Sequence, residues 1–123
     1  MPVRVIDASA LAAVVFEEPD AARVMAAAGG SSLVAPPLLR IEVASVCLKK
    51  IRAQPRQRAA LLAAFQLANR LDIETAQVDL AQVVELAEQA RLSVYDACYL
   101  WLARTLGCEL LTLDKRLAAA SRN

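Results

Sequence analysis

The sequence predicts an α/β domain with a parallel sheet between two layers of helices, and three observations support this class. Short runs rich in Val, Ile and Leu alternate with longer segments rich in Ala and Leu along the 123 residues. One or two helical segments separate each predicted strand from the next, as parallel pairing requires. Hydrophobic residues make up 58% of the chain but aromatic residues only 4%, which is typical of Ala-rich helices. We expect one domain over residues 1–123, with three layers, four to five strands and about seven helices.

The predicted strands are short and rich in β-branched or alternating residues. The first run ends on an acid, and the third alternates apolar with polar residues, as expected for a partly exposed strand. Strands are expected at residues 3–7, 32–35, 71–75 and 109–113.

The predicted helices are bounded by residues that start or stop helical structure. Asp20 can cap the second helix, and Gly29-Gly30 end it because glycine accepts positive φ. Pro36-Pro37 and Pro55 stand where helices begin, since proline fits the first helical turn and breaks the interior. Gly107 ends the sixth helix. Helices are expected at residues 8–16, 20–28, 38–51, 55–70, 79–90, 93–106 and 115–121.

The composition excludes several classes of function. There is no histidine, which removes Ser-His and Cys-His nucleophiles, imidazole acid–base pairs and histidine-ligated zinc. The three cysteines, Cys47, Cys98 and Cys108, lack C-x-x-C spacing and are predicted to be small core residues. The net charge of +1 creates no global field that would attract nucleic acid or membrane. Any hydrolytic chemistry would therefore depend on carboxylates.

The sequence predicts neither a membrane segment nor a secretory leader. The longest uninterrupted apolar runs, among them Ala10–Phe16, have seven residues, whereas a membrane-spanning helix needs about 18 or more. The first residues reach an acid, Asp7, without an apolar region before it. We expect a soluble protein of the cytoplasm.

Four acidic residues stand where a simple core does not explain them. Asp7 and Asp114 end the first and fourth predicted strands, and the carboxyl ends of parallel strands share one rim of the sheet. Glu42 lies on an apolar stripe of its predicted helix. Asp96 lies in a predicted helix that is apolar on nearly every face. Unpartnered carboxylates in such places would be costly.

Each of these acids also has a purely structural interpretation. Asp7 and Asp114 could cap the helices that follow them. Glu42 could lie at an exposed helix edge or pair with one of the lysines near the end of its helix. Asp96 stands three residues after Ser93, which is the spacing of a capping box.

Taken together, the four acids suit an all-oxygen site for a hard cation. Carboxylates without histidine favour Mg²⁺ or Mn²⁺ over zinc, and without a cation they would repel one another. Such a cluster can polarise a phosphate oxygen, lower the pKa of a bound water and stabilise a leaving oxygen, which amounts to phosphodiester hydrolysis. Ser9 and Thr112 each lie two residues from a rim aspartate. They could support the site by hydrogen bonds or be ordinary turn and strand polarity.

The segments around these acids carry a family resemblance. They are Val5–Leu11, Pro36–Ala44, Leu92–Ala97 and Leu111–Leu117. In order and spacing they resemble the four acidic motifs of PIN-domain ribonucleases, most of all VapC-type toxins, and together they are specific although each alone is weak. The resemblance covers nearly the whole chain. It implies a three-layer PIN-like domain with a short central parallel sheet.

The same resemblance implies an activity and partners. The activity is Mg²⁺- or Mn²⁺-dependent endonucleolytic cleavage of RNA, and the protein would be a homodimer inhibited by a cognate antitoxin whose C-terminal segment lies across the active-site groove. The implied metal-binding and catalytic residues are Asp7, Glu42, Asp96 and Asp114, with support from Thr112 and Ser9. Relatives commonly continue beyond the position of Asn123 into a further edge strand, so we expect a sheet that is one strand short.

Basic residues in two regions could contact RNA or an antitoxin. Five of the 14 basic residues lie at positions 49–58, among them Lys49 and Lys50, and they could bind phosphates or form a solvated helix junction. No aromatic residue interleaves with that cluster, so base stacking is not indicated there. Arg40, Lys115 and Arg116 flank two of the implied metal ligands and could neutralise a phosphate or pair with an antitoxin carboxylate.

Two other functions remain open at this stage. A receiver or phosphotransfer domain also uses strand-end aspartates with Mg²⁺, but it needs adjacent acids after its first strand, whereas Ala8 follows Asp7. A catalytically inactive PIN scaffold that only binds protein would not need all four acids, and all four are present.

Overall fold

A computed structural model describes residues 1–123 and contains one four-stranded sheet. The strands are β1 (Val3–Ile6), β2 (Ser32–Ala35), β3 (Ile73–Thr75) and β4 (Glu109–Leu111). They lie side by side in the order β3-β2-β1-β4, and every neighbouring pair is parallel. The predicted parallel sheet of four to five strands is confirmed, with four strands and with β4 at one edge.

Seven α-helices surround this sheet, as predicted. They are α1 (Ala8–Val15), α2 (Ala21–Ala28), α3 (Leu38–Ala53), α4 (Arg58–Ala68), α5 (Leu80–Ala90), α6 (Val94–Leu106) and α7 (Lys115–Ser121). A single 3₁₀ turn, Pro55–Gln57, precedes α4. None of these helices combines the length and the apolarity needed to span a bilayer.

Side-chain caps begin four of the helices. In each case an oxygen of the residue before the helix accepts a hydrogen bond from the backbone N–H three positions on, which satisfies a group that the helix itself cannot pair. The capping residues are Asp7, Asp79, Ser93 and Asp114. Three of the four caps therefore lie in segments that the sequence singled out for function.

One predicted cap is wrong. Asp20 precedes α2 in a helical backbone conformation, with φ −84° and ψ 0°, and its side chain makes no capping hydrogen bond. An N-cap requires extended backbone to aim its oxygen at the first turn. Asp20 instead pairs with Arg23 at 3.1 Å on the exposed face of the helix. At the other end of α2, only Gly30 adopts positive φ (+74°), so one glycine of the predicted pair is required by the turn.

The core lies where α6 crosses the sheet. Helix α6 packs on β1 and β4 with α5 and α7 beside it, whereas α1 contacts α2, α3 and α4. The largest fully buried side chains include Val5, Ile6, Leu39, Tyr99, Leu100 and Leu117. Because β1 is central and α6 is buried along most of its length, the carboxyl end of β1 and the first turn of α6 are held rigidly relative to each other.

Candidate active site

The pairing of β1 with β4 brings two chain segments that lie far apart in sequence to one rim. Ile6 is opposite Leu111 in the parallel register. The ladder continues one step past β1, where the Asp7 N–H donates to the Leu111 carbonyl at 3.1 Å. The next residue of each segment therefore lies at the carboxyl end of the sheet, and Asp7 meets Thr112 there.

The Asp7 carboxylate is buried, at 4% exposure, and accepts three hydrogen bonds. The Ser9 hydroxyl donates to Oδ1 at 2.7 Å, and the Ala10 N–H donates to the same oxygen at 2.9 Å. The Thr112 hydroxyl donates to Oδ2. Asp7 thus caps α1, as its structural interpretation proposed. The Ser9 and Thr112 hydroxyls, which the sequence suggested as supporting groups, also orient its carboxylate.

The same hydroxyls fasten the loop after β4. Ser9 Oγ accepts the Leu113 N–H at 2.9 Å, and Thr112 Oγ1 accepts the Asp114 N–H at 3.0 Å. The Asp114 carboxylate is exposed and caps α7 by accepting the Leu117 N–H at 2.8 Å on Oδ1. Each hydroxyl therefore donates a hydrogen bond to Asp7 and accepts one from a backbone N–H of the loop after β4. Together these hydrogen bonds fix the Asp114 backbone relative to Asp7.

Glu42 is half-buried on α3, and its partner is a residue that the sequence analysis did not identify. The Tyr99 hydroxyl donates to Glu42 Oε1 at 2.5 Å, and Tyr99 is only 1% exposed. The interpretation of Glu42 as an ion-pair partner of Lys50 is wrong, because Lys50 pairs with Glu18 at 2.9 Å. Tyr99 could have been found from its position three residues after Asp96, on the same side of the helix, since a buried phenol needs an acceptor.

Asp96 lies in the first turn of α6. Its backbone N–H donates to Ser93 Oγ at 3.0 Å, so Ser93 caps the helix as its spacing suggested. The cap uses the Asp96 backbone and leaves the carboxylate directed outward from the helix, where the charges of Asp114 and Arg116 act on it.

The electrostatics join the four carboxylates into one cluster. Burial raises the pKa of Asp7, of Glu42 and of Asp96. Repulsion adds to this effect: Asp96 raises the pKa of Asp7 and of Glu42, Asp7 raises that of Glu42, and Asp114 raises that of Asp96. Hydrogen bonds from Thr112 to Asp7 and from Tyr99 to Glu42 act in the opposite direction. Like charges held this close favour a cation between them.

The donor set fits a hard divalent cation in chemistry, although the side chains do not form a complete cage. Every candidate ligand is a carboxylate oxygen, the type that Mg²⁺ and Mn²⁺ prefer. Glu42 Oε2 and Asp114 Oδ2 accept no hydrogen bond from the protein, so both are available to a ligand. No three acidic or cysteine side chains converge closely enough to coordinate one ion. Coordination of one ion by several of these acids would therefore require their side chains to move closer together.

Two basic residues lie beside the acids on α7. Arg116 donates to the Arg91 carbonyl at 2.6 Å, and its charge lowers the pKa of Asp96. Arg91 has positive φ (57°), so its carbonyl faces α7 from the turn between α5 and α6. Lys115 is exposed next to Asp114. Arg116 is therefore held at the edge of the cluster with part of its guanidinium free.

The other basic residues suggested by the sequence differ in their surroundings. Arg40 donates to the Ala68 and Leu71 carbonyls at 3.2 and 3.3 Å, which ties α3 to the end of α4. It lies about 200° around α3 from Glu42 and so faces the opposite side. Lys50 is held by Glu18 and lies 5.6 Å from the centre of a phenylalanine ring. Lys49 is exposed about two turns from Glu42 on the same face, and it is the member of this group that is best placed toward the acids.

The raised pKa values predict how stability depends on pH without a metal. A carboxyl whose pKa is higher in the folded state binds more protons when folded, so its contribution to stability falls as pH rises from its ordinary value, 3.8 for Asp7 and 4.5 for Glu42, through the raised value. We expect Asp7→Asn to exceed the parent protein in unfolding midpoint at neutral pH in EDTA and to lose that advantage as the pH approaches 4. Added Mn²⁺ should reverse the trend for the parent, because the ion needs deprotonated ligands. A midpoint difference that is independent of pH would contradict the assigned pKa directions.

Comparisons with known proteins agree on the fold. The model of the PIN domain family matches residues 4–123. Among solved structures, the chain is similar to the crystal structure of PAE2754 from Pyrobaculum aerophilum, with a TM-score of 0.78 and 22% sequence identity over 98% of this chain and 86% of that one. At this identity the structural likeness concerns the fold alone. No protein with curated annotation matches the sequence.

Proposed function

The chain belongs to the PIN domain family, whose members are generally nucleases that use divalent metal ions, and on this premise we propose that it is an Mg²⁺- or Mn²⁺-dependent endoribonuclease. We propose further that it is a VapC-type toxin of a toxin–antitoxin pair. The observation that carries the nuclease proposal is a cluster of four electrostatically coupled carboxylates. Asp7 and Asp114 follow β1 and β4, Glu42 lies on α3 and Asp96 lies on α6.

The four carboxylates would hold the cation, and other residues prepare them for it. Bound there, a divalent ion supplies Lewis acidity toward a phosphate oxygen and lowers the pKa of water. Ser9 and Thr112 hold both oxygens of Asp7, so this ligand loses little rotational freedom on binding. Tyr99 holds Glu42 Oε1 and leaves Oε2 free, so this oxygen would be the one to hold the cation.

The basic edge of the site suits a phosphate. Arg116 lies beside Asp96, and Lys115 is exposed next to Asp114, so both can bind the RNA backbone where it approaches the acids. Lys49 could extend this contact along α3. When no RNA is bound, the same cations can receive the carboxylates of an antitoxin segment laid across the groove.

Apolar side chains on the surface support the proposed homodimer. Leu80 and Val84 are one turn apart on α5, and they are 61% and 56% exposed. Neighbouring exposed apolar residues of this kind are typical of a contact between chains. We propose that the dimer acts in the cytoplasm.

An inactive PIN scaffold is the second candidate, and one observation favours it. No three carboxylates converge at coordinating distance, so the fold could have kept the acids without the metal. The receiver or phosphotransfer alternative has no such support, since Asp7 is followed by Ala8 and Glu42 lies on a helix.

The deciding experiment is cleavage of total cellular RNA by purified, antitoxin-free protein. With Mg²⁺ or Mn²⁺ we expect fragments, with EDTA none, and with Asp96→Asn a loss of at least ~100-fold because a cation ligand is gone. Asn at position 96 leaves the backbone cap to Ser93 unchanged, so the variant should fold. Asp79→Asn is the matched control, because Asp79 caps α5 outside the cluster, and its cleavage rate should equal that of the parent.

Two outcomes would contradict the proposal. Equal cleavage by the parent and Asp96→Asn would remove Asp96 from the site. A folded protein that cuts no RNA with either metal and binds no Mn²⁺ by calorimetry would support the inactive scaffold instead.

A further inference from the structure

One aromatic side chain lies in the open beside the acidic cluster. Tyr95 is 63% exposed, and its hydroxyl makes no hydrogen bond within the protein. The other four aromatic residues, Phe16, Phe65, Tyr99 and Trp101, are buried or half-buried. Tyr95 precedes the buried stretch of α6 at residues 97–103, so its ring contributes little to the core and is accessible to a ligand.

Helical geometry places Tyr95 at the mouth of the site. Tyr95 is four residues before Tyr99, so the two rings project from the same side of α6, with Tyr95 one turn nearer the start of the helix. The Tyr99 hydroxyl reaches Glu42, and Asp96 follows Tyr95 directly in the first turn. Tyr95 is therefore exposed on the side of α6 from which Tyr99 reaches Glu42, and it is next in sequence to Asp96.

The charges of the site favour a particular orientation of a nucleotide. Arg116 and Lys115 lie on the α7 side of Asp96, where they attract a phosphate. Tyr95 lies on the side of α6 from which Tyr99 reaches Glu42, and its exposed ring is free for a ligand. A phosphate held near Asp96 and Arg116 thus leaves the attached base free to turn toward the exposed ring.

We propose that Tyr95 is a stacking platform for a nucleobase next to the scissile phosphate. This inference rests on the proposed nuclease function and adds to it a residue that binds the base. Stacking on one aromatic ring needs an unstacked base, which a loop or a single strand offers and a duplex does not. Because stacking grows with ring area, a purine at that position is bound better than a pyrimidine. Tyr95, the proposed stacking residue, lies outside the basic cluster at positions 49–58, which contains no aromatic residue.

The test compares three variants on a single-stranded RNA oligonucleotide that the parent protein cleaves at one mapped bond. Tyr95→Leu removes the aromatic face and should raise KM about tenfold with kcat little changed. Tyr95→Phe keeps the face and should match the parent. Met25→Ala alters an exposed apolar residue on α2 and should also match it.

An abasic nucleotide identifies the partner of the ring. Two substrates carry a single abasic position, one on each side of the cut. For the parent protein, KM should rise about tenfold on one of these two substrates. On that same substrate, Tyr95→Leu should cause no further rise in KM. Equal further loss on both abasic substrates would overturn the stacking assignment. Equal KM values for the parent and Tyr95→Leu on intact RNA would also overturn it.

Two controls separate this inference from its alternatives. Light scattering should give the same molar mass for the parent and Tyr95→Leu; a fall in mass for the variant would show that a second copy covers Tyr95 and would overturn the proposal. If the parent protein cuts no RNA at all, the nuclease function itself fails. If the parent cuts and the three variants do not differ, only the role of Tyr95 fails.

Discussion

Replacing Asp7 by asparagine is expected to lower RNA cleavage by at least ~100-fold and to raise the thermal unfolding midpoint at neutral pH in EDTA. The Asn side-chain oxygen can still accept from Ser9 and the Ala10 N–H, and the Thr112 hydroxyl can accept from the new amide. The variant removes a charge that burial and Asp96 both disfavour. Cleavage rates and calorimetric midpoints measured on the same preparation test both halves of the prediction.

Asp7→Ala is the informative companion, because it removes the hydrogen bonds as well as the charge. It should be as inactive as Asp7→Asn but less stable by about 1–3 kcal/mol, since α1 loses its cap and the Ser9 and Thr112 hydroxyls lose their acceptor. If Asp7→Asn destabilised the protein as much as Asp7→Ala, the negative charge of Asp7 would itself stabilise the folded state. If Asp7→Asn cleaved RNA at the parent rate, Asp7 would not belong to the site.

The architecture could be predicted from local patterns because its signals are local. Gly107 ends α6 with φ +64°, and Lys115–Ser121 forms α7 with the predicted bounds. The failure at Asp20 has a physical cause, since residue type alone does not determine whether the backbone before a helix is extended or helical. The third strand begins at Ile73, two residues later than predicted, because Leu71 and Asp72 form the turn that leaves α4.

The site could be predicted only in part, because the sequence does not specify the order of the strands in the sheet. Parallel topology implied that Asp7 and Asp114 share a rim, but the hydrogen bonds from Thr112 to Asp7 exist because β1 and β4 are neighbours. Nothing in the sequence distinguishes that neighbour from β3. The structural and functional interpretations of Asp7 and Asp114 also do not exclude each other. Each aspartate caps a helix and also belongs to the acidic cluster.

Long cationic side chains were the least predictable part. Arg40 is next but one to Glu42 in sequence, yet helical geometry turns it toward the end of α4, where it binds carbonyls. Lys50 reaches Glu18, on a turn of the chain that no local pattern connects to it. Partners for such flexible groups depend on tertiary packing, which a single sequence does not specify.

Tyr99 carries the second large prediction, since its buried hydroxyl donates to Glu42 although the sequence analysis did not identify it. Its hydroxyl proton stays in place at working pH, because burial and the hydrogen bond to Glu42 both raise the pKa of the phenol. We expect Tyr99→Phe to weaken Mn²⁺ binding by about 10–100-fold at pH 7. Without this donor the pKa of Glu42 rises further, and its carboxylate is no longer oriented.

The defect of Tyr99→Phe should be conditional, unlike that of Asp7→Asn. Phenylalanine fills the same buried volume, so the unfolding free energy should change by no more than about 1 kcal/mol. Cleavage should recover at high Mn²⁺ and at higher pH, because both favour the deprotonated, metal-bound Glu42. Tyr95→Phe, at the chain's other tyrosine, is the matched control and should bind Mn²⁺ as the parent does. Mn²⁺ affinity unchanged in Tyr99→Phe would mean that Glu42 binds no metal, and the ion would then have to be held by the three aspartates alone.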